Sequence, residues 1–191
     1  MTNTAVVSMG RQRTARKPRV LLVVDVQNMQ HPAIRLDYVN LIEFCRSMGK
    51  LVSAAAFVTD STDPFRINFQ LMLRQNSYQI MRIRPVFNAS GEMKCNADIM
   101  LAFWLGREIE KHRLGRGDIV VLCTGDGDFT QIAEWLRARD IRVVVVAFRS
   151  CTSSHLQIVA SEFHPIEETP ILQQKKEETP ILQHKKPVSA A

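Results

Sequence analysis

Two aspartates, Asp126 and Asp128, follow the apolar run Ile119–Cys123 within the segment TGDGDF that begins at Thr124. A buried strand that ends in small residues and two carboxylates concentrates negative charge where open α/β sheets bind their ligands. Carboxylate oxygens suit hard divalent cations, so the expected ligand is Mg²⁺ or Mn²⁺. A single aspartate of this kind is more often a helix N-cap or a turn residue.

The same pattern occurs near the N-terminus, where the apolar run 20–24 ends in Asp25 and Asn28 follows one short turn later. A third acid, Asp98, begins a helical stretch, where by itself it would stabilise the helix dipole by under ~1 kcal/mol. If the strands that begin at 20 and 119 are neighbours, these acids and the TGDGDF pair converge. Crowded carboxylates repel one another unless a cation neutralises them. The predicted metal ligands are Asp25, Asp98, Asp126 and Asp128, with Asn28 orienting water or a phosphate oxygen.

Such a site predicts phosphodiester chemistry. One or two Mg²⁺ or Mn²⁺ ions can activate water and stabilise the charge that develops on a phosphate during in-line hydrolysis. Four residues near the acids are predicted to bind the substrate: Lys94, Thr124, Arg149 and Ser153. Phe65, Phe69 and Phe87 are candidates for stacking on bases, although helix-spaced phenylalanines are more often core residues.

Strand-like apolar runs alternate with helical patterns through the middle of the chain, which predicts crossover units, a mainly parallel sheet and an α/β fold. The run 143–146 is apolar on both faces, as expected for a strand covered by helices on two sides. Strands are predicted at 20–25, 52–58, 79–84, 118–123, 141–147 and 162–166, and helices at 36–48, 65–75, 97–113, 129–138 and 153–160.

The composition favours one globular domain with two tails. The chain has 191 residues, 46% hydrophobic and 23% charged, which fits one core of roughly 100–200 residues. We place the domain at 19–166. Its four cysteines are far apart and lack C-x-x-C spacing, which favours reduced thiols in a cytoplasmic protein. No run reaches the ~18 apolar residues of a membrane span or forms a signal-peptide core.

The chain is basic, with a formal net charge of +6 and a pI near 9.4, which favours polyanionic partners such as nucleic acids. Residues 1–18 are predicted to form a flexible basic arm that includes Arg11, Arg13, Arg16 and Lys17. A transit peptide is the alternative, although the arm lacks the amphipathic and serine-rich character of such peptides. A homodimer is compatible with the sequence, which leaves the oligomeric state open.

The character of the chain changes after Pro165. The segment Glu167–Lys176 is repeated as Glu177–Lys186, with Gln174 against His184 as the one difference. The period is too short for a solenoid, whose repeats run to roughly 20–50 residues. We predict that 167–191 is a disordered tail that is dispensable for stability, because it carries little apolar surface. Its repeated Ile and Leu make it a candidate docking element for a protein partner.

The arrangement resembles the NYN domain family of PIN-like nucleases, in particular its bacterial LabA-like branch. The resemblance implies a three-layer α/β/α fold and metal-dependent cleavage of single-stranded or structured RNA. The chain departs from the family at Ser161, where an Asp is common, and at Trp104, where relatives often have a second acid. The matching elements, in the family's order, are Asp25-Val26-Gln27-Asn28, Asp98-Ile99-Met100-Leu101-Ala102, Thr124-Gly125-Asp126-Gly127-Asp128-Phe129 and Ser153-x-x-Leu156 with Ala160-Ser161-Glu162-Phe163.

Two other functions compete with a ribonuclease. A haloacid-dehalogenase-like phosphatase would share an acidic G-D-G-D loop, but its nucleophile requires an Asp two residues before another Asp, and Gln27 stands two residues after Asp25. The stronger alternative is a non-catalytic RNA- or protein-binding regulator that keeps the fold. Loss of a principal acid would favour that alternative, and the four acids are all present.

Overall fold

The computed structural model describes residues 16–84, 86–87, 93–94 and 97–174. Strands and helices alternate along this part of the chain, with short 3₁₀ turns between some of them. The elements are β1 (Arg19–Asp25), α1 (Tyr38–Met48), β2 (Lys50–Thr59), α2 (Pro64–Gln75), β3 (Gln79–Ile83), β4 (Val86–Phe87), β5 (Met93–Lys94), α3 (Ala97–His112), β6 (Ile119–Cys123), α4 (Thr130–Arg137), β7 (Arg142–Ala147), α5 (Ser154–Val159) and β8 (Glu162–Pro165).

Six of the strands form one sheet in the order β3-β2-β1-β6-β7-β8, and every neighbouring pair in it is parallel. Crossovers between parallel strands are right-handed. The chain steps one way from β1 to β3 and the other way from β3 to β8, so α1 and α2 cover one face and α3, α4 and α5 cover the other. The predicted α/β fold with a parallel sheet between two helical layers is confirmed.

The core lies on both faces of the sheet. The residues of β6 and the run Val143–Val146 of β7 are buried, as their two-sided apolar pattern predicts. Local signals fix where the helices begin. Asp37 accepts the backbone N–H groups of Val39 and Asn40 and caps α1, while Asp63 caps α2 and is followed by Pro64 at its first turn.

One pair of strands is absent from the sequence prediction. β4 and β5 pair antiparallel between β3 and α3, and each contains only two residues, too few to show an alternating pattern. The side chains of Phe87 and Lys94 lie outside the described part of the structure, as does Cys95. Of the described cysteines, Cys45 and Cys123 are buried free thiols and Cys151 is an exposed one.

The basic arm is partly docked. The Arg16 guanidinium donates to both carboxylate oxygens of Asp118, at 2.9 and 3.0 Å. Arg19 adds a second guanidinium to the same carboxylate, 2.7 Å from its oxygen. Residues 16–18 therefore belong to the folded domain, while the rest of the predicted arm lies outside the described residues. No helix in the described ranges is long and apolar enough to cross a membrane.

The folded chain extends past the boundary predicted at 166. Residues 166–168 and 170–172 form two 3₁₀ turns, Leu172 is completely buried, and Gln173 forms an antiparallel bridge with Leu36. The predicted disorder is therefore wrong for Glu167–Gln174, because Leu172 enters the core beside the start of α1. Residues 175–191, which include the second copy of the repeat, lie outside the described part.

Candidate metal centre

The candidate site lies where the direction of strand addition reverses, between the neighbouring strands β1 and β6. Val24 of β1 is in register with Cys123 of β6, so the residues that follow them emerge side by side at the carboxyl edge of the sheet. Open α/β sheets bind ligands in the crevice at this switch point. The predicted adjacency of Asp25 and the TGDGDF segment follows directly from this strand order.

Asp25 is the last residue of β1 and is only 3% exposed. Its Oδ1 accepts the backbone N–H of Gln27 at 3.0 Å and that of Asn28 at 3.4 Å. Its Oδ2 accepts the Asn28 side-chain amide at 2.6 Å. The spacing of Asp25 and Asn28 therefore closes a local turn, in which Asn28 fixes the orientation of the carboxylate.

The TGDGDF segment is a loop held together by its own side chains. The buried Thr124 hydroxyl oxygen accepts the N–H of Asp126 at 3.2 Å, and Asp126 Oδ1 accepts the N–H of Asp128 at 3.0 Å. Asp126 thereby caps the 3₁₀ turn Gly127–Phe129. Phe129 is buried and anchors the turn to the core. Thr124 therefore supports the loop from beneath, and its role in substrate binding stays a prediction.

The segment after β7 packs closely on this loop. Ser153 donates its backbone N–H to the Gly125 carbonyl at 2.9 Å. A Cβ added to Gly125 would lie 2.3 Å from the Cys151 carbonyl oxygen, so only glycine fits there without a shift. A Cβ added to Gly127 would lie 3.1 Å from Ser153 Oγ. Ser153, predicted to bind substrate, therefore lies beside the acidic loop. The sequence gives no signal for its contact with Gly125.

Asp98 completes the cluster from the first turn of α3. One carboxylate oxygen from each of Asp98, Asp126 and Asp128 lies within 4.8 Å of the other two. Burial raises the pKa of Asp98, and the negative charges of Asp126, Asp25 and Asp128 raise it further. Oxygen donors that repel one another at this spacing are the donor set that a hard divalent cation stabilises. The residues present therefore fit Mg²⁺ or Mn²⁺.

The two predicted basic contacts are not part of the described cluster. The Arg149 guanidinium binds Glu168, with its Nε and Nη2 at 2.9 and 3.0 Å from the carboxylate oxygens, and lies 5.3 Å above the Phe163 ring. Glu168 belongs to the segment predicted to be disordered, so sequence reasoning had no basis for pairing it with Arg149. The side chain of Lys94 lies outside the described residues.

The two departures from the family pattern have structural roles. Ser161 Oγ accepts the backbone N–H of Val143 at 3.1 Å and so caps the start of β7. Trp104 is 1% exposed and packs edge-to-face on Phe57, with 6.1 Å between ring centroids. Trp104 therefore belongs to the core under β2, and its ring fills space between α3 and the sheet.

A cleft of about 1100 Å³ adjoins the Asp25 turn. Gln27 and Asn40 line it, and Phe65 stands at its side with 74% of its surface exposed. The preference for a core role is therefore wrong for Phe65, because Phe65 lies on the outer face of the first turn of α2. Phe69 packs edge-on against Tyr38, 5.1 Å away, so for Phe69 the core role is confirmed. Sequence reasoning missed the cleft, since its walls come from separate elements.

Comparisons with known proteins agree with this architecture. The NYN domain matches residues 19–167. A crystal structure of a protein of unknown function from Vibrio parahaemolyticus shares the fold, with a TM-score of 0.73, 24% identity, and coverage of 85% of this chain and 99% of that one. No curated protein matches the chain significantly. The NYN match runs from β1 to the turn after β8, most of the chain, and we conclude that this protein belongs to the NYN domain family of PIN-like nucleases.

Proposed function

We propose that the protein is a metal-dependent endoribonuclease that hydrolyses phosphodiester bonds in RNA. The observation that carries the proposal is the meeting of Asp98, Asp126 and Asp128 within 4.8 Å. It occurs at the switch point of the sheet, beside the buried Asp25, in a chain whose net charge is +6. Membership of a nuclease family supports this assignment, and the free thiols of Cys45 and Cys123 favour the reducing cytoplasm.

The four aspartates would hold Mg²⁺ or Mn²⁺, and the bound ion would activate water and stabilise charge on the scissile phosphate. The protein contributes preorganisation. Asn28 holds the Asp25 carboxylate in one orientation through a 2.6 Å hydrogen bond, which is how outer residues support metal ligands. Asp126 is fixed through the Asp128 N–H. Asp128 is exposed, so the cluster is accessible to a large polyanion.

The adjoining cleft supplies the features needed to bind single-stranded nucleotides. Base stacking on an exposed aromatic ring is worth about 1–3 kcal/mol per base and tolerates any sequence. Phe65 provides such a ring, and the amides of Gln27 and Asn40 along the cleft can hydrogen-bond to base edges. The Ser153 hydroxyl would act as a neutral donor to phosphate oxygens. The basic residue predicted for the same role is Lys94.

The direct test is incubation of the purified protein with a mixed RNA pool in Mg²⁺, in Mn²⁺ and in EDTA. We expect cleavage with a metal, none in EDTA, and none with Asp126→Asn. Glu110→Gln is the matched control, because it also replaces a carboxylate by an amide, on the exposed surface near the end of α3, and should cleave like the wild type. RNA that is bound but left intact under every metal condition would reject the enzyme and support the regulator.

A further inference from the structure

The first copy of the repeated segment is docked on the domain. Leu172 is fully buried in the core, and its carbonyl accepts the Asp37 N–H at 2.8 Å. The Gln174 backbone N–H donates to the Arg35 carbonyl at 2.8 Å. These two hydrogen bonds flank the bridge between Gln173 and Leu36. This segment thus adds a short antiparallel edge to the chain that leads into α1.

The acidic end of the same copy is bound at a second place. The Arg149 backbone N–H donates to the Glu167 carboxylate at 3.0 Å, and the Arg149 guanidinium pairs with Glu168 at 2.9 Å. We call the receiving residues Arg35, Leu36, Asp37 and Arg149 the tail-docking site. Its two ends bind the two ends of the segment from Glu167 to Gln174.

The second copy repeats every side chain that this site uses. Glu177, Glu178, Leu182 and Gln183 stand in the places of Glu167, Glu168, Leu172 and Gln173. The one difference, His184 for Gln174, falls where the docked copy contributes a backbone N–H, which any residue other than proline supplies. A second segment with the same binding chemistry is thus tethered directly after the first.

We propose that the tail-docking site accepts either copy, and that the second copy replaces the first, within the same chain, when the first is displaced or lost. The first copy holds the site in the intact chain because Ile166, which directly precedes it, is itself buried. Gln173 Nε2 also donates to the Ile166 carbonyl at 2.9 Å. For the second copy the corresponding residue is Lys176, so it binds in the intact chain only at a disadvantage.

The exchange within one chain is favoured over exchange between chains by tethering. Looping out the first copy costs an entropy that grows only with the logarithm of the loop length. A short flexible tether holds a segment at an effective concentration of roughly millimolar, above the concentration of a second molecule in dilute solution. Under the proposal, one copy of the segment occupies the tail-docking site at a time.

Removal of each copy in turn tests the proposal. A chain that ends at Ile166 should lose roughly 5–15 °C in thermal midpoint, because Leu172 leaves the core. Deletion of 167–176 joins Glu177 directly to Ile166, and this chain should unfold within about 1 °C of the full protein. If the deletion is as unstable as the chain that ends at Ile166, the second copy cannot fill the site and the proposal is overturned.

A substitution cycle provides a second test in folded protein. Leu172→Asp should lower the thermal midpoint by several degrees less in the full chain than in a chain that ends at Lys176. The reason is that only the full chain contains the second copy, which can replace the first. Leu182→Asp is the matched control. By itself it should leave the thermal midpoint of the full chain unchanged, and combined with Leu172→Asp it should give the larger loss seen in the chain that ends at Lys176. If Leu172→Asp lowers the thermal midpoint equally in the full chain and in the chain that ends at Lys176, the proposed exchange is overturned.

The oligomeric state separates the two routes of exchange. The chain lacking 167–176 should be a monomer by light scattering, with a midpoint independent of protein concentration. A midpoint that rises with concentration, together with a dimer, would show that the segment binds a neighbouring molecule and would overturn exchange within one chain.

Discussion

Asp126 has two roles in the acidic loop, a capping hydrogen bond and a negative charge, and a substitution can remove one without the other. Its carboxylate caps a 3₁₀ turn through the Asp128 N–H, and it is one of three whose oxygens crowd together. Asparagine caps as well as aspartate but carries no charge. We predict that Asp126→Asn abolishes metal-dependent cleavage while the free energy of unfolding in EDTA is unchanged or rises by up to about 1 kcal/mol.

Urea unfolding and single-turnover cleavage measure the two effects separately. Wild-type cleavage by the mutant, after contaminating nucleases are excluded, would reject the proposed site. A large loss of stability would instead show that the capping hydrogen bond requires the charge.

Phe65 tests the substrate cleft. It is 74% exposed on α2, so Phe65→Ala removes a ring that the core does not use. We predict a loss of about 1–3 kcal/mol in binding free energy for single-stranded RNA, with thermal stability unchanged. Phe103→Ala is the control, since Phe103 is 67% exposed on α3 and does not line the cleft.

Fluorescence titration with a short oligonucleotide gives both affinities. If the two variants lose the same affinity, the apolar surface in general contributes to binding and stacking on Phe65 does not.

At the scale of the elements, Asp118 connects the start of β6 to the start of β1 through ion pairs with Arg16 and Arg19. Burial raises its pKa, but hydrogen bonds from Arg19, the Gly115 N–H and Arg16 outweigh burial and lower the pKa to about 2. The unfolded value is about 3.9, so the stabilisation is complete above that pH and is lost as the pH falls toward 2. We predict that Asp118→Asn destabilises the neutral protein by about 2 kcal/mol.

The measurement is the free energy of unfolding against pH for the wild type, for Asp118→Asn and for the exposed control Asp60→Asn. The wild type and control should lose stability between about pH 4 and pH 2 more steeply than Asp118→Asn. Parallel curves for all three would show that Asp118 has the same pKa in the folded and unfolded states.

The extent to which the sequence predicts these elements depends on how local their signals are. The six sheet strands and five helices carry their own apolar periodicity, so their approximate limits follow from the sequence. The 166–174 segment does not, because the burial of Leu172 depends on contact with Leu36 and Asp37, far away in the chain. β4 and β5 are too short to carry a pattern.

The candidate site divides in the same way. The placement of Asp25 and the TGDGDF loop at one edge of the sheet is predictable, because the carboxyl ends of neighbouring parallel strands such as β1 and β6 lie side by side. Two other features are tertiary contacts: the ion pair of Arg149 with Glu168 and the hydrogen bond of Ser153 with Gly125. They depend on where the chain after β7 turns, and nothing in the local sequence specifies that turn.

At the scale of the whole molecule, the predicted basic arm divides into residues 16–18, which belong to the folded domain, and residues 1–15, which lie outside the described part of the structure. Arg16 is used by Asp118, so a deletion of 1–18 would disturb the fold as well as any RNA contact. Deletion of 1–15 removes Arg11 and Arg13 and leaves that ion pair intact. We predict weaker RNA binding and a salt dependence that is shallower by about 0.7 per lost single-strand phosphate contact.

Binding titrations across a range of salt concentrations give the slope directly. An unchanged slope of log affinity against log salt would show that residues 1–15 do not touch the RNA.

The pairing of β1 with β6 places a condition on when the protein could acquire the proposed activity. Val20 lies opposite Ile119, with most of the domain between them in sequence, and such distant pairings form late in folding. Asp25 and Asp126 therefore reach the same edge of the sheet only after the chain through β6 has been synthesised and docked. Under the proposed function, a nascent or misfolded chain holds no complete metal centre, so the RNA around it, including its own message, is safe until folding is finished.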